Sequence, residues 1–275
     1  MIASISLSFF EIFPLQANSA GSSMYNLGVC VVFAGLEYVR NTSIFREPGV
    51  FMIYLNIAII LELFFKKEIN KKNIFVFVIA IFSTFSTAAF ITLAAIFIAY
   101  LFTKNTNISV LKTKSFLIIT FVMAIVVLLS YSGLYDMVFS KIGKDNVGDG
   151  SSLARGVSVF ANLNMFFDHY LVGVGIKNYP AAFGKYTLDL VGISMDVGNN
   201  TNTITTVFAV YGIFFGVLLF YMLFSLAKKT SNSFMVRIFL FLVLIMLYSN
   251  EDLRYSLMSA TFLMWGMTSR KEIAI

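Results

Sequence analysis

Apolar runs of helix length alternate with short polar segments along most of the chain, and their spacing predicts a succession of membrane helices. The runs extend from about Gly49 to Phe65, over 74–102, over 116–131, from about Ile204 to Ala227, over 238–249 and over 256–268. Pro48 suits the first turn of the Gly49 helix, where its missing N–H would have had no partner. Ahead of that helix the pattern is weaker. Residues 1–15 are apolar but carry Glu11 and Pro14 and read as the tail of a helix. Residues 16–23, QANSAGSS, read as a polar loop, and 24–39 are too brief for a span.

The polar punctuation sets a topology. The loop KKEINKKN at 66–73, the stretch 103–115 with Lys104, Lys112 and Lys114, the group Lys228, Lys229 and Arg237, and the pair Arg270 and Lys271 are basic and belong on the cytoplasmic face. The run 74–102 separates two of these loops. As one helix it would extend about 43 Å against a hydrocarbon core of about 30 Å, and one crossing would place the two loops on opposite sides. Its centre, STFSTAA from Ser83 to Ala89, offers hydroxyls to backbone groups freed by a break. A hairpin of two short helices is therefore expected, with one long tilted helix as the alternative. The 132–203 segment has no basic excess and is expected to be a large extracytoplasmic loop; NEDLRY, at 250–255, lies on the same side. The organisation is thus a partial span and outer loop to residue 48, helices over 49–131, the large loop over 132–203 and C-terminal helices over 204–275.

Composition agrees with that pattern. Of 275 residues, 59% are hydrophobic and 12% charged, about half the charge usual for a soluble domain. The fold class is an all-α polytopic transmembrane bundle. The net charge of +6 sits in loops that orient spans and is no nucleic-acid signal. Cys30 is the only cysteine and His169 the only histidine, which excludes an intrachain disulfide, a cysteine metal site and an HExxH motif. No P-loop or strand-following GxGxxG occurs, so nucleotide-driven transport is not indicated. The N-terminus lacks the basic start and small-residue cleavage site of a signal peptide.

Three segments together resemble the Wzy-type O-antigen and capsular polysaccharide polymerase and O-antigen ligase superfamily. RNTSIFREPGVFMIYLNIAI resembles that family's Arg-x-x-Gly-Ile-Phe-x-Glu-Pro lead-in to a helix, with Ser43 where glycine is usual. FSTFSTAAFITLAAIF resembles its Thr-x-Ser segment. Arg155 followed by DHYLVGVGIKNY and NNTNTITTVFAVYGIFFGVLLF resembles its long loop and following helix. The likeness covers most of residues 36–225. Thr201-Asn202 stands where many members have His-Asn, and the chain is shorter than its counterparts, so it reads as a C-terminal portion or an N-terminally truncated form.

The resemblance implies a glycosyltransferase in the bacterial inner membrane that joins undecaprenyl-diphosphate-linked repeat units into O-antigen, capsule or exopolysaccharide. No cofactor or metal is implied. Membrane lipids, a chain-length regulator and a flippase are the implied partners, and no nucleic acid is. Such a reaction needs cations for the diphosphate and a base for the attacking sugar hydroxyl. Arg155, Arg46 and Arg40 are the candidate diphosphate ligands, and Asn200 and Asn202 either orient a sugar hydroxyl or cap the helix near Ile204. His169 beside Asp168, Glu47 beside Arg46, and Glu251 in the group with Asp252 and Arg254 are the candidate catalytic residues. An O-antigen ligase is the nearest rival function. A non-enzymatic flippase or transporter is the rival from another class, disfavoured because Glu62 is the one acid well inside an expected span.

Overall fold

A computed structural model describes residues 12–17, 23–27, 31–33, 41–45, 47–66, 68–103, 112, 114–116, 119, 150–230 and 233–268. Arg40, Arg46, Cys30 and nearly all of the expected span 116–131 lie outside the described residues. The described chain is mostly helical, in keeping with the all-α reading. It divides into two compact units, one drawn from Met1–Ala94 and Ile108–Val138, the other from Ala95–Asn107 and Phe139–Ile275.

The first unit opens with an element the hydropathy pattern did not suggest. Strands β1 (Leu15–Ala17), β2 (Ser23–Asn26) and β3 (Val31–Phe33) form an antiparallel meander, with Leu15 opposite Tyr25 and Met24 opposite Phe33. The segment read as a polar loop is therefore partly strand. Runs of three or four residues are too short for alternation to stand out in sequence.

Helix α1 (Pro48–Phe64) begins where Pro48 predicts, with Glu47 at its N-cap. Its C-terminal end is held by Glu62, which is buried. The Glu62 carboxylate meets Lys66 Nζ at 2.6 Å and accepts the Asn70 backbone N–H at 2.8 Å. Asn70 in turn caps α2 (Lys71–Ser83) by accepting from the Lys72 and Asn73 N–H groups. One carboxylate and one amide thus turn the chain between two helices that pack together.

Helix α2 stops at Ser83 and α3 (Thr87–Leu101) starts four residues later, so the apolar run 74–102 is broken within STFSTAA. Phe85 there has φ 46°, and the Ser83 and Thr84 hydroxyls donate to the Ala80 and Ile81 carbonyls. Asn41 adds a partner from outside: its backbone N–H donates to Ser83 O and its side-chain amide to Ser83 Oγ, each at 3.0 Å. Ser43 lies in the left-handed region at φ 52°, held by its N–H donating to Asn41 Oδ1 at 2.8 Å.

The second unit folds the C-terminal half of the expected outer loop into helices. Helix α4 (Gly150–Asp168) and helix α5 (Tyr179–Val191) pack on each other, and α4 packs on α6 (Thr203–Thr230). Helices α7 (Phe234–Tyr248) and α8 (Leu257–Met267) also pack on α6. Among the described residues α6 is the one helix long and apolar enough to cross a membrane, with a mean hydropathy of 2.4 and a third of its apolar window buried. Helices α1, α3, α7 and α8 are apolar but shorter.

Helix α6 is interrupted at Gly212, which has φ 76° and ψ −171°. In an unbroken helix the Ile213 N–H would donate to Ala209 O. Here it donates to Tyr170 O at 2.8 Å, and Ala209 O and Val210 O accept instead from the N–H groups of Val174 and Gly175, at 2.9 and 3.0 Å. The turn after α4 thus supplies the partners that the break removes. Both contact glycines are required by space as well as by φ. A Cβ on Gly212 would lie 2.3 Å from Leu171 O, and one on Gly173 would lie 2.4 Å from Val210 C.

Three substitutions test this backbone account by thermal unfolding in detergent. Ser43→Gly should stabilise by about 1 kcal/mol, since it relieves a left-handed conformation costly to a side chain. Gly212→Ala should lose roughly 1–3 kcal/mol or more, the usual cost of such a conformation plus the clash. Gly156→Ala, with nothing within 4 Å of the added methyl, should be neutral or stabilising by about 0.5–1 kcal/mol.

Candidate functional site

Helix α4 turns a face made of Val157, Ser158, Ala161, Asn162 and Met165 inward, spaced as one side of a helix requires. On that stripe Asn162 is fully buried, and burying an amide is costly unless its hydrogen bonds are made. They are made: its Nδ2 lies 3.0 Å from Thr206 Oγ1 and 3.2 Å from both Thr205 Oγ1 and Asn200 Oδ1, and its Oδ1 accepts the Tyr179 hydroxyl at 2.9 Å. Asn200 extends the network, donating to Thr206 Oγ1 at 2.8 Å and to Asp252 Oδ2 at 3.1 Å. Four segments of the second unit therefore converge on one polar cluster beside the start of α6.

Asp252 anchors the charged end of the cluster. Arg254 donates to it through Nε at 2.8 Å and through Nη2 at 2.6 Å, a two-pronged pairing across a short turn. The Arg254 side chain is 3% exposed and that of Asp252 is 12% exposed. The guanidinium lies 4.8 Å from the Tyr179 ring centre and 5.3 Å from that of Tyr255. Burial works against the Arg254 charge, but the Asp252 hydrogen bond and charge and the neighbouring tyrosines outweigh it, so its pKa is raised. Its Nη1 is buried with no hydrogen-bond partner. A buried cationic nitrogen without a hydrogen-bond partner carries a desolvation cost that no protein group here offsets.

Burial is also the main reason that the Tyr179 hydroxyl is pushed up to about 12. It is therefore a donor at neutral pH and no base. The start of α6 is fixed by the same region. Asn202 caps it, accepting the Thr205 N–H at 2.9 Å, while Thr203 donates to Glu251 O and accepts the Leu253 N–H at 2.8 Å.

The residues singled out from sequence are distributed as follows. Asn200 and Asn202 both lie in the cluster, Asn200 bonding side chains across it and Asn202 capping α6. Glu251 is buried beside it, with its carbonyl holding Thr203. Arg155 is exposed on α4, seven residues before Asn162 and hence about two turns along the same helix. His169 is exposed just past the end of α4, and among the described residues no side chain hydrogen-bonds its ring. Asp168 is engaged elsewhere, accepting the Tyr186 hydroxyl, which that contact pushes up to about 12. Glu47 is at the N-cap of α1 in the first unit. Sequence reasoning passed over Asn162, Tyr179 and Thr206 and treated Arg254 as part of a short charged loop. The usable signal was an asparagine set in the apolar stripe of α4.

The chain matches no protein-family model, no curated protein and no solved structure.

Two measurements test the cluster. Asp252→Asn leaves the buried Arg254 charge uncompensated and should cost about 3–5 kcal/mol in detergent-solubilised stability, whereas Asp168→Asn at an exposed position should cost no more than about 0.5 kcal/mol. In a pH titration, the folded state keeps the Tyr179 and Tyr186 protons above the ordinary tyrosine pKa of about 10. Stability should therefore fall between about pH 10 and about 12, and Tyr179→Phe should flatten part of that slope.

Proposed function

We propose that the protein is a multi-pass enzyme of the bacterial inner membrane that polymerises undecaprenyl-diphosphate-linked repeat units at the outer face. The observation that carries the reading is Arg254, a buried cation clamped by Asp252 with its Nη1 amino group unpaired, beside the start of an apolar helix. A lipid diphosphate presents an anion to that group. Support also comes from Ser43, which takes a left-handed conformation at the position where the resembled motif carries glycine.

In the reaction proposed, a hydroxyl oxygen of the acceptor sugar bonds to the anomeric carbon of the donor. The bond from that carbon to the diphosphate oxygen breaks, and the diphosphate leaves with the electron pair. Arg254 and the exposed Arg155 take up the charge that develops on the leaving group, where always-protonated guanidinium groups are most useful. Asn162, Asn200 and Tyr179 hold the walls of the site rather than react, because their polar groups are already paired to one another. The hydroxyl proton passes to the imidazole of His169, exposed just past the end of α4.

A gel of surface and lipid-linked glycans from the host, with the gene deleted and then restored, tests the proposal. Single-repeat glycans in the deletion and a ladder restored by the wild type are expected. Arg155→Ala and Arg254→Lys, at wild-type membrane abundance, should each slow polymerisation roughly 10- to 100-fold, the worth of a charge-assisted hydrogen bond. Long glycans stranded on the carrier would replace this reading with a ligase. An unchanged ladder in the deletion would overturn both and favour a transporter.

A further inference from the structure

The turn that fills the break in α6 is itself apolar and turned outward. Tyr170, Leu171 and Ile176 are exposed and Val172 is 77% exposed, with Phe167 exposed in the last turn of α4. Asp168 and His169 precede this run and Lys177 and Asn178 follow it, so a purely apolar tip is bracketed by polar residues. Tip and helix share one surface. Tyr170 O accepts from Ile213, and the next residues on α6, Phe214 at 70% exposed and Phe215, are apolar and outward as well.

We propose that Tyr170–Ile176 is a re-entrant segment immersed in the hydrocarbon of the outer leaflet, with acyl chains covering Leu171 and Val172. The inference rests on the reading of α6 as a membrane span. Lys228 and Lys229 mark the inner end of α6, and Gly212 lies about 16 residues before them, or about 24 Å at helical rise. A hydrocarbon core of about 30 Å that starts at the lysines therefore reaches past Gly212 and takes in the tip docked there. Non-helical backbone survives at such depth only if its polar groups are paired within the protein. The tip packs its backbone on α6: Tyr170 O, Val174 N–H and Gly175 N–H bond to the interrupted turn, the Gly173 N–H bonds to His169 O at 2.8 Å, and Leu171 O and Val172 N lie against Gly212.

Single cysteines on a Cys30→Ser background, labelled with an environment-sensitive fluorophore in phosphatidylcholine vesicles, test the placement. Val172→Cys is the test site, Phe214→Cys the reference for lipid and Asn199→Cys, exposed after α5, the reference for water. Val172→Cys is expected to behave as Phe214→Cys, with emission shifted to the blue and lost to nitroxide-bearing lipid but not to aqueous iodide. Iodide quenching at position 172 with lipid quenching at 214 would overturn the re-entrant segment alone. Shielding of 172 from both quenchers would overturn it in favour of a protein neighbour or second copy. Iodide quenching at 214 would remove the span and the inference together.

Discussion

The exchange of backbone hydrogen bonds between the turn after α4 and the interrupted turn of α6 is the constraint on which the second unit depends. The break in α6 releases peptide groups that the helix can no longer pair within itself. The Ile213 N–H and the Ala209 and Val210 carbonyls would each lack a hydrogen-bond partner at Gly212, and Tyr170 O and the Val174 and Gly175 N–H groups supply all three. Because partners must lie within about 3 Å, the bonds also fix where α4 ends and where α5 begins. Two glycines make the approach possible, each where a methyl group would overlap backbone atoms of the other strand of the contact.

The polar cluster follows from that placement. With α4 held against α6, Asn162 faces Thr205 and Thr206, and Tyr179 at the start of α5 reaches its amide oxygen. Asn200 then carries the network to Asp252, and Asp252 to Arg254. Each link satisfies a group whose burial would otherwise be unfavourable, so the cluster is rigid and leaves little polar capacity unspent. Arg254 Nη1 is the exception. An unpaired N–H on a buried cation is a cost to the fold, and residues that carry such costs concentrate where a ligand is bound.

Much of the helical scaffold was legible in the sequence because apolar runs and their punctuation have simple physical causes. Pro48 marks the start of α1, Asn70 and the lysines around it mark the turn into α2, and the hydroxyl-rich STFSTAA marks the break before α3. Asn202 was legible as a cap for the helix near Ile204. The short meander of Leu15–Phe33 was not, since strands this brief carry no period of their own. The helical character of 150–191 is likewise hidden: its mixed composition reads as an outer loop, and only the core shared by Ala161, Met165, Tyr179 and Phe183 reveals α4 and α5.

By itself the sequence determined the mostly helical class, the positions of the apolar helices and the types of group available for chemistry, because these rest on local composition and period. Which polar groups meet was decided by tertiary structure alone. Asn162 and Asn200 are 38 residues apart, and Asn200 and Asp252 are 52 apart. No local pattern encodes a hydrogen bond over such separations. They are brought together because two interrupted stretches of backbone, Tyr170–Gly175 and Ala209–Ile213, complete each other's hydrogen bonds.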